Sequence, residues 1–166
     1  MLENWLYKLA GTAVLLLASL LYGRCKVMEE RKKVHEFEAL LDLVNCITDG
    51  IEYGMKPLPE IFAEYRNEIL EKNGFLEMAR KSGLRETWMA YERKFSVSGG
   101  NGMKQFAGFC MKIGNGYKKE ELELCGITRK RMEEELEKRK KDNGNREKLY
   151  RTIPPLMAMS LVLMLL

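Results

Sequence analysis

Histidine is all but absent from this chain: among 166 residues, His35 is the only one. It stands on the border between the polar and apolar sides of an amphipathic stretch, where a lone histidine is structural or solvated. The four cysteines, Cys25, Cys46, Cys110 and Cys125, include no C-x-x-C pair, so the usual spacing of a zinc site is missing. On helical faces they read as small core fillers, reduced as in a cytoplasmic domain. A phosphate-binding loop is also lacking. "GNGYKK" (114–119) does not have the G-x-x-x-x-G-K-[ST] order, and "SGGNG" (98–102) follows no strand pattern. The many paired glutamates read as solvated helix charges. The sequence thus predicts no enzyme, catalytic residue, metal, cofactor or small-molecule substrate. A net charge of +4 is too mild for a dedicated nucleic-acid binder, whose basic residues dominate one face. "KRKK" (138–141) reads instead as a solvated face beside lipid headgroups. No period-2 strand pattern, repeat or low-complexity tract is found, which leaves an all-α fold.

What the chain does have is apolar ends around a charged middle. From Leu9 to Gly23 no residue is charged. Trp5, Tyr7 and Tyr22 flank this run as interfacial aromatics do, and Lys8 can snorkel. Counted from Trp5, the run approaches the roughly 20 residues that span a bilayer. A buried core helix is a poorer account, because the run has no polar stripe. A cleaved signal peptide competes, although no A-x-A pattern follows, and in "YGRC" (22–25) Arg24 replaces the small residue of a lipoprotein site. The C-terminal run, Ile153 to Leu166, gives about 21 Å of helix at 1.5 Å per residue. Begun at Leu149 it is marginal for a span of about 30 Å, and a core helix or re-entrant segment is the alternative. Nothing polar follows Leu166, which favours the membrane. The expected organisation is an N-terminal transmembrane helix (1–23), a helical cytoplasmic domain (24–148) and a C-terminal transmembrane helix (149–166). Arg24, Lys26, Arg31, Lys32 and Lys33 follow the first run. Lys138, Arg139, Lys140, Lys141, Arg146, Lys148 and Arg151 precede the second. The positive-inside bias therefore puts 24–151 in the cytoplasm.

The middle reads as helices. Val34, Phe37, Leu41, Val44, Thr48 and Ile51 recur every three or four residues, so the first helix continues from the membrane toward Gly54. Pro57 and Pro59 make a turn, with Pro59 suited to a first helical turn. The next helix carries Ile61, Phe62, Tyr65, Ile69 and Leu70 and ends at "NG" (73–74). A short helix follows from about Phe75 and stops at Gly83. The next displays Trp88, Tyr91 and Phe95 as core anchors, and "SVSGGNG" (96–102) is a loop. A helix around Met103–Ile113 is stopped by "GNG" (114–116). The last helix begins near Lys118, turns Leu122, Cys125, Met132 and Leu136 inward, and carries i,i+4 pairs such as Glu135–Arg139. "KDNGN" (141–145) weakens it. Pro154 and Pro155 lack amide donors, so a break or kink is expected near Ile153.

Three stretches carry a resemblance: "IEYGMKPLPE" (51–60), "FCMKIGNGYKKEE" (109–121) and "NREKLYRTIPPL" (145–156). They resemble the stage III sporulation protein AB family, in order and spacing along the whole chain. Lys56 stands where that family prefers Thr, Tyr117 replaces Asp, Glu121 replaces Gln, and Pro154 replaces Gly. The resemblance implies a bundle of about six helices, similar to a cytoplasmic domain of the platform proteins of type II secretion and type IV pilus machines. It also implies a place in a mother-cell membrane complex of endospore formation. The implied partners are the bilayer, a secretion-type sporulation ATPase and other stage III proteins. On this basis the expected partner-binding residues are Tyr53, Gly54, Pro57, Leu58, Pro59, Gly114, Lys118 and Lys119. They sit where the first and last long helices reach farthest from the bilayer, although the glycines and prolines equally suit plain tight turns. The rival functions are a two-span signalling or stress protein with a helical partner-binding domain, and a secreted helical protein.

Overall fold

No proline precedes Pro57, and one helix, α1, runs unbroken over Leu2–Glu52. The computed structural model describes residues 2–165 apart from positions 55 and 98, with side chains described over 11–160 except at 15, 16, 55 and 98. Trp5, Tyr7 and Lys8 therefore lie outside the described side chains, as does the chain's apolar end from 161. The described elements are helical throughout: α2 (Leu58–Glu64), α3 (Glu68–Lys72), α4 (Phe75–Tyr91), a 3₁₀ turn (Glu92–Lys94), α5 (Asn101–Lys112) and α6 (Lys118–Leu165). They form two units. One comprises residues 1–31 with 140–166, the other residues 32–139.

In the unit of residues 32–139, α1 supplies a large share of the core. Of the expected seam, Phe37, Leu41, Val44, Thr48 and Ile51 are buried, and Val34 is half-buried. Glu36, Ala39, Leu40, Leu43 and Ile47 are buried too, a wider arc than the seam alone, because shorter helices pack on more than one side of α1. Each such aliphatic or aromatic side chain contributes about 1.5–3 kcal/mol when fully buried. An aromatic chain fills the centre. Trp88 meets Phe106 edge-on at 5.0 Å and stacks on Phe95 at 6.0 Å, and Phe75 meets Phe95 at 5.5 Å. From α6, Cys125, Thr128 and Met132 are buried, with Leu122 and Leu136 against the core.

Local chemistry sets the breaks. Pro59 lies in the first turn of α2, as its fixed φ favours. The single helix expected from there to "NG" is instead two, α2 and α3. Asn67 is extended, and its side chain accepts from Ile69 N (3.1 Å) and Leu70 N (3.3 Å), starting a new helix. The carbonyls left open at the end of α2 are taken by arginines: Arg80 donates to Phe62 O (2.8 Å) and Tyr65 O (2.9 Å), and Arg66 to Ala63 O (2.7 Å). Gly83 interrupts α4 at φ 81°, ψ 169°, a conformation closed to most L-residues, so the expected stop there is real. Phe95 is a core anchor, but it lies beyond the helix, after the 3₁₀ turn.

The loop before α5 is held by two carboxylates. Buried Glu36 accepts from Ser96 N (2.7 Å) and Val97 N (3.2 Å). Glu135 accepts from Gly102 N (2.5 Å) and pairs with Arg139, which also donates to Gly99 O (2.7 Å) and lies over the Phe37 ring. The Glu135–Arg139 pair read from the sequence as a helix-surface pair is thus a loop clamp.

In the other unit, α1 and α6 lie antiparallel. Arg146 reaches Glu30 at 3.4 Å, and Glu147 joins Arg31 (2.5 Å) and Arg151 (2.8 Å). Gly23, Val27 and Ala158 are buried, while Val14, Leu17, Leu20 and Leu21 are exposed. The helix passes through "KDNGN" and through Pro154 and Pro155 without interruption, so the break expected near Ile153 is not there. Pro154 withholds the amide that would serve the Tyr150 carbonyl. That oxygen turns to α1 at Gly23, where an added Cβ would lie 2.5 Å from it.

Candidate functional site

The two family-like stretches at the end of α1 and the start of α6 come together. Lys118 Nζ donates to the Glu52 carbonyl at 3.1 Å. A Cβ on Gly114 would lie 2.9 Å from Leu58 Cδ1. Residues more than fifty positions apart thus meet at two points, Lys118 at the Glu52 carbonyl and Gly114 at Leu58, with Tyr53 and Gly54 following Glu52 in the chain.

Each arm is built locally. The end of α1 closes with Tyr53 N on Asp49 O (3.0 Å) and Lys56 N on Gly50 O (3.1 Å). Pro57 then takes φ −68°, ψ 150°, turning the chain into α2. Leu58 is half-buried against the core, while Pro57 and Pro59 are exposed. Lys56, in the place where the resembled family prefers Thr, reaches Glu64 at 2.6 Å. In the second arm Gly114 has φ 88°, and Glu121 folds back from the first turn of α6 to accept from Gly114 N (2.9 Å) and Gly116 N (3.3 Å). Glu121 was read from the sequence only as a departure from the family pattern. Its spacing after "GNG", with a carboxylate one helical turn into α6, is the signal that marks it.

The outward side of this surface is aromatic and basic. Tyr53 is 78% exposed and Tyr117 83%, and each adjoins in sequence one partner of the Lys118–Glu52 hydrogen bond. Lys118 and Lys119 are exposed beside them. Beside this surface Gly54 and Lys56 also border a cleft of about 620 Å³ lined by Asp42, Asn45, Cys46, Asp49 and Tyr65. Exposed tyrosines with a cationic rim suit protein recognition, since tyrosine brings a large contact area at small entropic loss.

Chemistry elsewhere is quiet. Burial pushes the Cys110 thiol well up, and does the same to Cys125 and, helped by Asp49 and Asp42, to Cys46. A nucleophilic cysteine needs the opposite shift. His35 is exposed and meets Glu38 at 3.0 Å. Among the described residues no group of three His, Cys, Asp or Glu side chains is placed to hold a metal.

The stage III sporulation protein AB (spore_III_AB) family matches residues 8–166. No curated protein and no solved structure matches the chain. The family match runs through both arms of the surface just described and through the segment that follows, so the chain belongs to the stage III sporulation protein AB family, and its role is at stage III of sporulation.

Proposed function

We propose that this chain is a membrane-anchored platform protein that docks a cytoplasmic secretion-type ATPase during endospore formation. The docking surface comprises Tyr53, Gly54, Pro57, Leu58, Pro59, Gly114, Lys118 and Lys119. The observation that carries the proposal is the joining of two separate family-like stretches by the Lys118–Glu52 and Gly114–Leu58 contacts, with Tyr53 and Tyr117 left outside. Large exposed aromatics rimmed by charge are the anchors an interface uses.

The anchoring proposal has residues 1–23 and 149–166 crossing the mother-cell membrane, with 24–148 in the cytoplasm. It is supported by α1, whose described part from Gly11 is long and apolar enough to cross a bilayer, with only 12% of its most apolar window buried. A core helix would be mostly buried. The basic residues flanking both apolar runs support the orientation.

The test is co-purification of the full chain with the candidate ATPase. Lys118→Glu with Lys119→Glu should weaken capture while leaving helix content unchanged. Because Lys118 also holds Glu52, Tyr53→Ala with Tyr117→Ala provides a second variant that touches no internal contact described above. Undiminished capture by both variants, with normal sporulation, would overturn the docking proposal.

A further inference from the structure

In the unit formed by 1–31 and 140–166, a cavity of about 480 Å³ opens between α1 and α6. Its lining is graded. Along α6 the lining passes from Arg146 through Leu149 and Tyr150 to Ile153, Pro154 and Met157, and α1 contributes Ser19 and Tyr22. Arg146 and Met157 are eleven residues apart on one helix, about 16 Å along its axis. We propose that this cavity is a binding site for an anionic phospholipid. Arg146 and the two phenol hydroxyls hold the phosphate headgroup, and an acyl chain lies along Ile153 and Met157. The proposal rests on the membrane reading above.

The chemistry fits a lipid better than a free anion. A phosphate alone would use the guanidinium and phenols but leave the apolar length of the cavity empty. An apolar ligand alone would make no use of Arg146, whose contact with Glu30 is long at 3.4 Å. A guanidinium suits phosphate oxygens through paired, fixed donors. Tyrosine at headgroup depth places its ring in the apolar layer and its hydroxyl in the polar one. The slot lies where the first apolar run ends and the second begins: Tyr22 is near the end of one, Arg146 is in the charged segment, and Ile153 opens the C-terminal run.

The test uses the full chain in phosphatidylcholine vesicles doped with a phosphatidylglycerol that carries a photoreactive group in its acyl chain. Cross-linked peptides are mapped by mass spectrometry. Labelling should concentrate on the peptides holding Tyr22 and residues 149–157. Excess unlabelled phosphatidylglycerol should compete, whereas inorganic phosphate should not. Arg146→Gln should lower labelling about fivefold, the equivalent of the roughly 1 kcal/mol that one basic residue contributes at an anionic membrane surface. Glu30→Gln breaks the same ion pair but keeps the guanidinium, so it should label at least as well as the parent. Labelling spread evenly around both helices, or unchanged in Arg146→Gln, would overturn the lipid site while leaving membrane insertion standing. A chain that fails to float with vesicles of either composition would overturn the membrane reading itself.

Discussion

Glu36 shows how much a single side chain settles in this fold. Its carboxylate is buried and serves the amides of Ser96 and Val97. Removing it strands two donors, and hydrogen bonds to a charged group are each worth about 1.5–3 kcal/mol. Glu36→Ala is expected to destabilise the domain by at least that amount, read as a lower midpoint in thermal unfolding of the full chain in mild detergent. The thiols that the fold shields, Cys110 and Cys125 fully and Cys46 in part, make a second prediction. Cys46, Cys110 and Cys125 all have raised values, chiefly from burial. A group whose folded value lies above its unfolded one contributes stability that is complete below the unfolded value. That stability is lost as pH rises toward the folded one. Stability should therefore decline above the ordinary thiol range, from about pH 9. Cys110→Ala should lessen the decline in a pH series of unfolding midpoints. The cysteines read as core fillers from the sequence, but Glu36 does not announce itself there. Glu36 reads as one more solvated glutamate, because its partners lie some sixty residues away.

At the scale of elements, most starts and stops were legible where the chemistry is local. Pro57, "NG", Gly83 and "GNG" act through their own backbone and interrupt the helices, and Pro59 sits in the first turn of the helix that follows. Asn67 was missed although it too acts locally: it competes as a cap inside what reads as one apolar helix. Asn67→Ala should cost about 1 kcal/mol, again visible in the unfolding midpoint. The continuity of α6 past Pro154 and Pro155 is not local in the same way, since the carbonyl that Pro154 leaves without an amide lies against Gly23 on another helix. Gly23→Ala would put a methyl 2.5 Å from the Tyr150 oxygen and should force α1 and α6 apart. Gly11→Ala meets nothing within 4 Å and should be neutral or mildly stabilising. Disulfide trapping across the two helices, with cysteine pairs near 27 and 146, measures the difference. Equal trapping in both variants would contradict the notch.

For the whole molecule, orientation in the membrane is the property to test. Cys25 is exposed and follows the first apolar run, whereas Cys110 is shielded by the fold itself. With 24–148 in the cytoplasm, an impermeant maleimide should spare Cys25 in intact cells and label it after permeabilisation. Cys110 should resist until the chain is unfolded. Labelling of Cys25 in intact cells would reverse the proposed orientation.

Composition and periodicity by themselves determined that this protein is all-helical, that its apolar residues gather at both ends, and that α1 continues from one apolar run into the core. These follow from interactions within a few residues of one another: hydrogen bonds along a helix, turn dihedrals, and the period of apolar side chains. The three stretches carrying the family resemblance were legible for the same reason. Only the tertiary structure decided that Lys118 reaches Glu52, that Glu36 and Glu135 hold the loop before α5, and that Gly23 receives the carbonyl freed by Pro154. Each of these joins groups far apart in the chain. Which distant groups meet is set by how the helices pack, and a one-dimensional pattern of apolar and charged residues does not contain that packing.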